Sequence, residues 1–165
     1  MAPDVEELTA GPPHELVAEN AYRKAAAVAK AADLPGAGTL VLGVDTIVAV
    51  GARVYGKPAD ASTARETLTA LAGRRHAVLS GLCLIEDGRA RQAVASTSVE
   101  FRALDPELVD WYIDTGEWRE RAGGYAIQGR GAALVESIEG DYLNVVGLPV
   151  RTLLELVPEL LLSGS

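Results

Sequence analysis

At 165 residues and 48% hydrophobic content, the chain suits one domain with an ample core. A formal net charge of −8 and an isoelectric point near 4.8 argue against a general nucleic-acid surface, although a nucleotide ligand needs only a local cationic pocket. Cys83 is the single cysteine, so no internal disulfide can form; no apolar run reaches membrane-spanning length and no signal peptide opens the chain, so a soluble cytoplasmic protein with no membrane partner is expected.

Residues 1–11 are acidic and irregular, with Asp4, Glu6 and Glu7 ahead of Gly11. Pro12 and Pro13 suit a helix start, because proline loses no hydrogen bond in the first turn. His14 to Ala32 then reads as an alanine-rich helix with lysines toward its end. Asn20 and Lys24 are four apart and share one face, which on composition alone reads as solvated.

The stretch Thr39 to Pro58, TLVLGVDTIVAVGARVYGKP, reads as a hairpin. An apolar strand turns at Gly51-Ala52 and returns through Arg53-Val54-Tyr55 to Gly56-Lys57-Pro58. Asp45 and Thr46 interrupt the apolar run. A carboxylate there is costly to bury unless it is paired or coordinates a cation. It is either an edge or backbone-paired acid, or part of a site in which Lys57 holds a phosphate.

Asp60 can cap a helix over Ala61 to Ala72, ended by Gly73. His76 follows and reads as structural rather than as a base. Ala77–Ile85 is a strand in which Cys83 is a small buried hydrophobe. Glu86-Asp87-Gly88-Arg89 turns the chain into a partner strand, Gln92–Phe101. Asp105-Pro106 starts a helix over Glu107 to Asp114, and Gly116 stops it. Its stripe of Leu108, Trp111 and Tyr112 reads as core.

Arg119 to Gly131 contains AGGYAIQGRG, whose four glycines let the backbone approach something closely or adopt positive φ. An ordinary loop is the other reading. Gln128 offers a donor and an acceptor in one side chain, which suits the edge of a base. Ala132–Ile138 reads as a strand and Glu139 to Tyr142 as a turn. The last helix, Val150 to Leu162, meets Pro158, which would kink or end it, and its Leu153, Leu154, Leu156 and Val157 should pack on the sheet.

Three blocks, GVDTIVAV…GKPAD, LAGRRHAVLSGLCLI and DTGEWRERAGGYAIQGRGAALVESIEGDYLNVVGLP, resemble the Maf family of nucleoside triphosphate pyrophosphatases. They cover nearly the whole chain in the right order, and they are long and specific. The resemblance implies an α/β, inosine-triphosphatase-like fold with a mixed twisted central sheet flanked by helices. It implies hydrolysis of dTTP and UTP to the monophosphate and pyrophosphate, with Mg²⁺ or Mn²⁺ as cofactor. Asp45 would be the proton acceptor and a metal ligand, with Glu7 as a second, weaker carboxylate. Lys24 and Lys57 would hold phosphates, and Thr46 and Gln128 would select the base. Glutamine at 128 goes with the dTTP/UTP branch and argues against the 7-methyl-GTP branch. Family members are often dimeric, so the resemblance leaves room for a homodimer.

The family opens with a strand and a phosphate-binding S-x-S-P-R-R turn, which this sequence does not contain; Met1 aligns after it. The expectation is that the first strand of the fold is missing because the true start lies upstream. A degraded, non-catalytic nucleotide-binding or septum-associated relative is the alternative. Arg121 stands where the family usually has lysine, which keeps the charge and changes its geometry.

Overall fold

The computed structural model describes residues 4–31 and 37–162. Helix α1 (Pro13–Ala31) precedes a hairpin of β1 (Leu40–Val50) and β2 (Arg53–Tyr55). Helix α2 (Ala61–Leu71) leads to a long second hairpin, β3 (Arg75–Glu86) and β4 (Arg89–Phe101). Then come α3 (Pro106–Thr115), two 3-10 turns (Ala122–Gly124 and Arg130–Leu134), β5 (Val135–Glu139), α4 (Tyr142–Val146) and α5 (Val150–Leu156). The five strands form one sheet in the order β2-β1-β3-β4-β5. Helices flank this sheet as expected, but the expected mixed sheet is corrected: every described pairing is antiparallel, because the neighbouring strands β1–β2 and β3–β4 are joined as hairpins.

The hairpins form where the turn chemistry demands. Asp87 and Gly88 both take positive φ (47° and 78°), the backbone of a two-residue turn that matches strand twist. β1 pairs with β3 from Leu40 opposite Glu86 to Ala49 opposite Ala77. Its other edge pairs with β2 only from Val48 to Val50. Among the described residues, Leu40 to Ile47 therefore have a strand partner on one side alone.

The sheet buries both faces. On one, Val48, Val78, Val99 and Phe101 pack against Leu68 and Leu71 of α2 and Val109, Tyr112 and Ile113 of α3. On the other, Leu16 and Val17 of α1 meet Ile47, Ala49 and Leu79, while Ala21 and Ala25 meet Val41 and the fully buried Cys83. Helix α1 sits unusually close to the strands because Gly43 and Gly81 lie beneath it. A Cβ at Gly43 would overlap the Ala21 carbonyl, and one at Gly81 would overlap the Val17 carbonyl.

Several expectations need correction. Trp111 is 44% exposed rather than core, because the buried arc of α3 runs through Val109, Tyr112 and Ile113 and leaves Trp111 on its flank. The strand expected from Ala132 starts at Val135, since residues Arg130–Leu134 form a 3-10 turn folded back on Ala126. Helix α5 ends at Leu156 rather than Leu162, with Pro158 opening a separate 3-10 turn as its helix-breaking ring suggested; α5 packs on β4, with Val157 fully buried and Leu153, Leu154 and Leu156 partly buried. The face of α1 carrying Asn20 and Lys24 is not solvated: Asn20 is 2% exposed.

Candidate active site

A cavity opens along the singly paired edge of β1. Strand alternation sends Asp45 toward α1 and Thr46 toward the opposite face, yet both line this cavity because it wraps the edge. Lys24, Lys57, Tyr125 and Gln128 line it as well, along with Glu120, Arg121 and Val145 to Gly147. The structure thus brings together Asp45, Lys24, Lys57, Thr46 and Gln128. Glu7 does not line the cavity; it reaches Lys24 from the N-terminal segment.

Asp45 is 6% exposed and fully engaged. Lys24 Nζ donates to its Oδ1 at 2.6 Å, and Asn20 Nδ2 donates to its Oδ2 at 3.2 Å. The same ammonium lies 2.8 Å from Glu7 Oε1. Burial works against the charge on Lys24, but hydrogen bonds and attraction to Asp45 and Glu7 outweigh it and hold the ammonium above the usual lysine range. Asn20 fixes the geometry: its Oδ1 accepts from Leu8 N at 2.8 Å and its Nδ2 donates to Leu8 O at 3.0 Å. This side chain therefore ties the N-terminal segment to α1 and carries Glu7 to Lys24.

Asp45 and Glu7 both meet the Lys24 ammonium, and their carboxylates are hard oxygen donors of the type a divalent ion such as Mg²⁺ or Mn²⁺ would take. Among the described residues no cluster of three or more His, Cys, Asp or Glu forms a closed metal cage. Two carboxylates completed by phosphate oxygens are a usual arrangement for Mg²⁺, so the donor set fits such an ion.

Thr46 Oγ1 and Ser80 Oγ share a hydrogen bond of 2.8 Å across β1 and β3, which fixes the Thr46 hydroxyl. Lys57 pairs with Glu120 at 3.4 Å, and both are well exposed. Glu120, which also lines the cavity, has a φ of 59°, rare outside glycine. Sequence reasoning passed over Glu120, Ser80 and the site role of Asn20. No composition or spacing signal marked the first two, whereas the spacing of Asn20 to Lys24 did place those two on one face.

The glycine-rich loop approaches the protein itself rather than empty space. A Cβ at Gly123, whose φ is 68°, would strike the Val48 side chain at 2.6 Å. The loop carries Tyr125 down beside His76, whose Nε2 and the Tyr125 hydroxyl are 2.8 Å apart. Both rings stand edge-on to Phe101. Burial lowers His76 to about 4, so it is a neutral core residue and not a base, as its sequence context suggested.

A family model described as Maf-like protein matches residues 1–160. The chain belongs to the Maf family. Its Maf relatives include a dTTP/UTP pyrophosphatase of Pyrococcus furiosus, 47% identical over 117 residues, which are 71% of this chain and 62% of that protein. The dTTP/UTP pyrophosphatase of Symbiobacterium thermophilum is 46% identical over 159 residues, 95% of this chain and 80% of its own. That of Gloeobacter violaceus is 45% identical over 148 residues, 90% of this chain and 76% of its own. The match thus spans less than two thirds of the Pyrococcus relative and about four fifths of the Symbiobacterium one. The all-antiparallel sheet and flanking helices are consistent with the Maf fold. Among the described residues, no helix is long and apolar enough to cross a membrane.

Proposed function

We propose that the chain is a nucleoside triphosphate pyrophosphatase that hydrolyses dTTP and UTP to the monophosphate and pyrophosphate. The observation that carries this reading is the single cavity shared by Asp45, Lys24, Lys57, Thr46 and Gln128. The relatives' names supply the reaction and the bases.

Phosphoryl chemistry leaves a protein mainly positioning and charge neutralisation. Of the charged cavity residues, Lys24, Lys57 and Arg121 are cations and Asp45 and Glu120 are anions, a local cationic excess in an acidic chain. Lys57 can exchange Glu120 for a phosphate oxygen at little cost, because an exposed pair at 3.4 Å is weak. Lys24 keeps Asp45 oriented until phosphate oxygens compete for its ammonium; Asp45 then accepts the proton of the attacking water. Maf-family pyrophosphatases are generally metal-dependent. A divalent ion, Mg²⁺ or Mn²⁺, held by Asp45 and Glu7 would neutralise phosphate charge and acidify that water. Thr46 and Gln128 present a hydroxyl and an amide to the base.

The test is pyrophosphate release over a panel of nucleoside triphosphates with Mg²⁺ or Mn²⁺. Turnover of dTTP and UTP ahead of purines is expected, and Gln128→Glu should lower it relative to 7-methyl-GTP. Preference for 7-methyl-GTP in the unaltered chain would move the assignment to that branch. Nucleotide binding without turnover would favour a non-catalytic role.

A further inference from the structure

We propose that Tyr112 and Glu117 act as a clamp that fixes the turn carrying Gln128, and so set base selectivity without touching the nucleotide. This rests on the reading of Gln128 as the residue that meets the base. Gln128 sits in a tight turn closed by Gly129 N donating to Ala126 O at 3.1 Å. Ala126 and Ile127 are buried, whereas Gln128, Gly129 and Arg130 are exposed. The exposed half of such a turn has little packing to hold it, and an unsupported side chain at its tip samples many positions.

Helix α3 and the residues just beyond it supply the missing support. The Tyr112 hydroxyl accepts from Ala126 N at 2.9 Å, holding the buried start of the turn. Glu117 takes hold of the far side. Its Oε2 accepts from Arg130 N at 2.8 Å and Gly131 N at 3.3 Å, and its Oε1 accepts from Arg130 N at 3.1 Å. Bonds from backbone N–H groups to a carboxylate are stronger than neutral ones. Gly129 completes the fit, because a Cβ there would come within 2.7 Å of Glu117 Oε1. Burial also pushes the Tyr112 hydroxyl up to about 12, with the Glu117 charge adding to the rise, so it remains a neutral acceptor at working pH. The carboxylate and the phenol thus bracket Gln128 from either end of its turn.

The experiment compares the full chain with Glu117→Ala, Glu117→Gln and Tyr112→Phe. It reads kcat/KM for UTP against GTP, and amide hydrogen exchange at residues 126–131. Loss of the charged acceptor should lower the UTP-to-GTP ratio by about tenfold in Glu117→Ala, mainly through KM for UTP. Glu117→Gln, which keeps one acceptor oxygen, should fall between. Exchange at the Arg130 and Gly131 amides should quicken by about tenfold while the sheet amides stay protected. An unaltered chain that prefers UTP, with a ratio unchanged in Glu117→Ala, would overturn the clamp and leave the proposed function standing. Unchanged exchange at Arg130 and Gly131 would also overturn it. No UTP preference in the unaltered chain, with Gln128→Glu equally silent, would overturn the proposed function and the clamp with it.

Discussion

Asp45→Asn separates the chemistry of the site from its architecture. The carboxylate uses one oxygen for Lys24 at 2.6 Å and the other for Asn20 at 3.2 Å. Asparagine has a single oxygen. Whichever way its amide is set, an NH₂ group faces either the Lys24 ammonium or the Asn20 NH₂. Asn20 cannot turn over to accept, because both ends of its amide are committed to the Leu8 backbone. The favoured setting keeps the shorter contact to Lys24 and gives up the one to Asn20. Glu7 remains as a charged partner of Lys24. Loss of one hydrogen bond to a charged group, offset by burying a neutral side chain instead of a carboxylate, should cost about 1–2 kcal/mol. For a chain of this size that lowers the unfolding midpoint by a few degrees and leaves the fold intact. Turnover should respond far more strongly. Removing a positioned proton acceptor costs about 10²–10⁴-fold, equivalent to about 3–5 kcal/mol in the barrier. Pyrophosphate release from dTTP and UTP, read beside thermal unfolding, distinguishes the two effects. Turnover within about threefold of the unaltered chain, in protein that melts slightly lower, would remove Asp45 from its role.

Lys57→Ala should change stability by less than about 0.5 kcal/mol, since its pair with Glu120 is exposed; steady-state kinetics should show a raised KM for the triphosphate. Gly81→Ala should cost about 3 kcal/mol by forcing α1 off the sheet, and turnover should fall as Lys24 moves with the helix; chemical denaturation and pyrophosphate release test both. His76 gives the pH dependence. Its folded value is about 4 against an ordinary 6.5, so as pH drops through that window the unfolded chain takes up a proton that the folded ring refuses. Stability should therefore be unaffected above pH 6.5 and fall by about 3 kcal/mol by pH 4, at about 1.4 kcal/mol per pKa unit. Urea titrations at several pH values should show that slope in the unaltered chain and lose it in His76→Gln.

The sequence announced those elements that carry local signals. Dense β-branched residues marked β1 and alternation marked β4, and Asp60 and Asp105 capped the helices they were expected to cap, accepting from Thr63 N at 2.7 Å and Leu108 N at 2.8 Å. What it hid depends on contacts between distant segments. Gly43 and Gly81 look like weak points in strands, yet they are where α1 comes down. Trp111 looked like core because periodicity specifies a face and not the width of the buried arc. The glycines of the AGGYAIQGRG loop signalled a close approach without saying to what, and they answer to Val48, Pro58, Glu117 and the Ala126 backbone. The resemblance to the family gathered the residues of the cavity; composition alone would have left Lys24 on a solvated face.

The adjacency of Asp45 and Thr46 has a structural consequence. Neighbours on a strand point to opposite faces, so a fully paired β1 would keep them in separate compartments. Both line one cavity, which lies along the stretch of β1 that, among the described residues, has a strand partner on one side alone. On one side of that stretch stand Asp45, Lys24, Asn20 and Glu7, held by α1 and the N-terminal segment. On the other stand Thr46, bonded to Ser80, and Gln128, carried by the loop that α3 supports. On the proposed function, substitutions at Thr46 or Gln128 should alter the choice of base while leaving Asp45 and Lys24 in place. A slip of one residue in the register of β1 would exchange the faces to which Asp45 and Thr46 point. The ten residue pairs joining β1 to β3 are what hold that register.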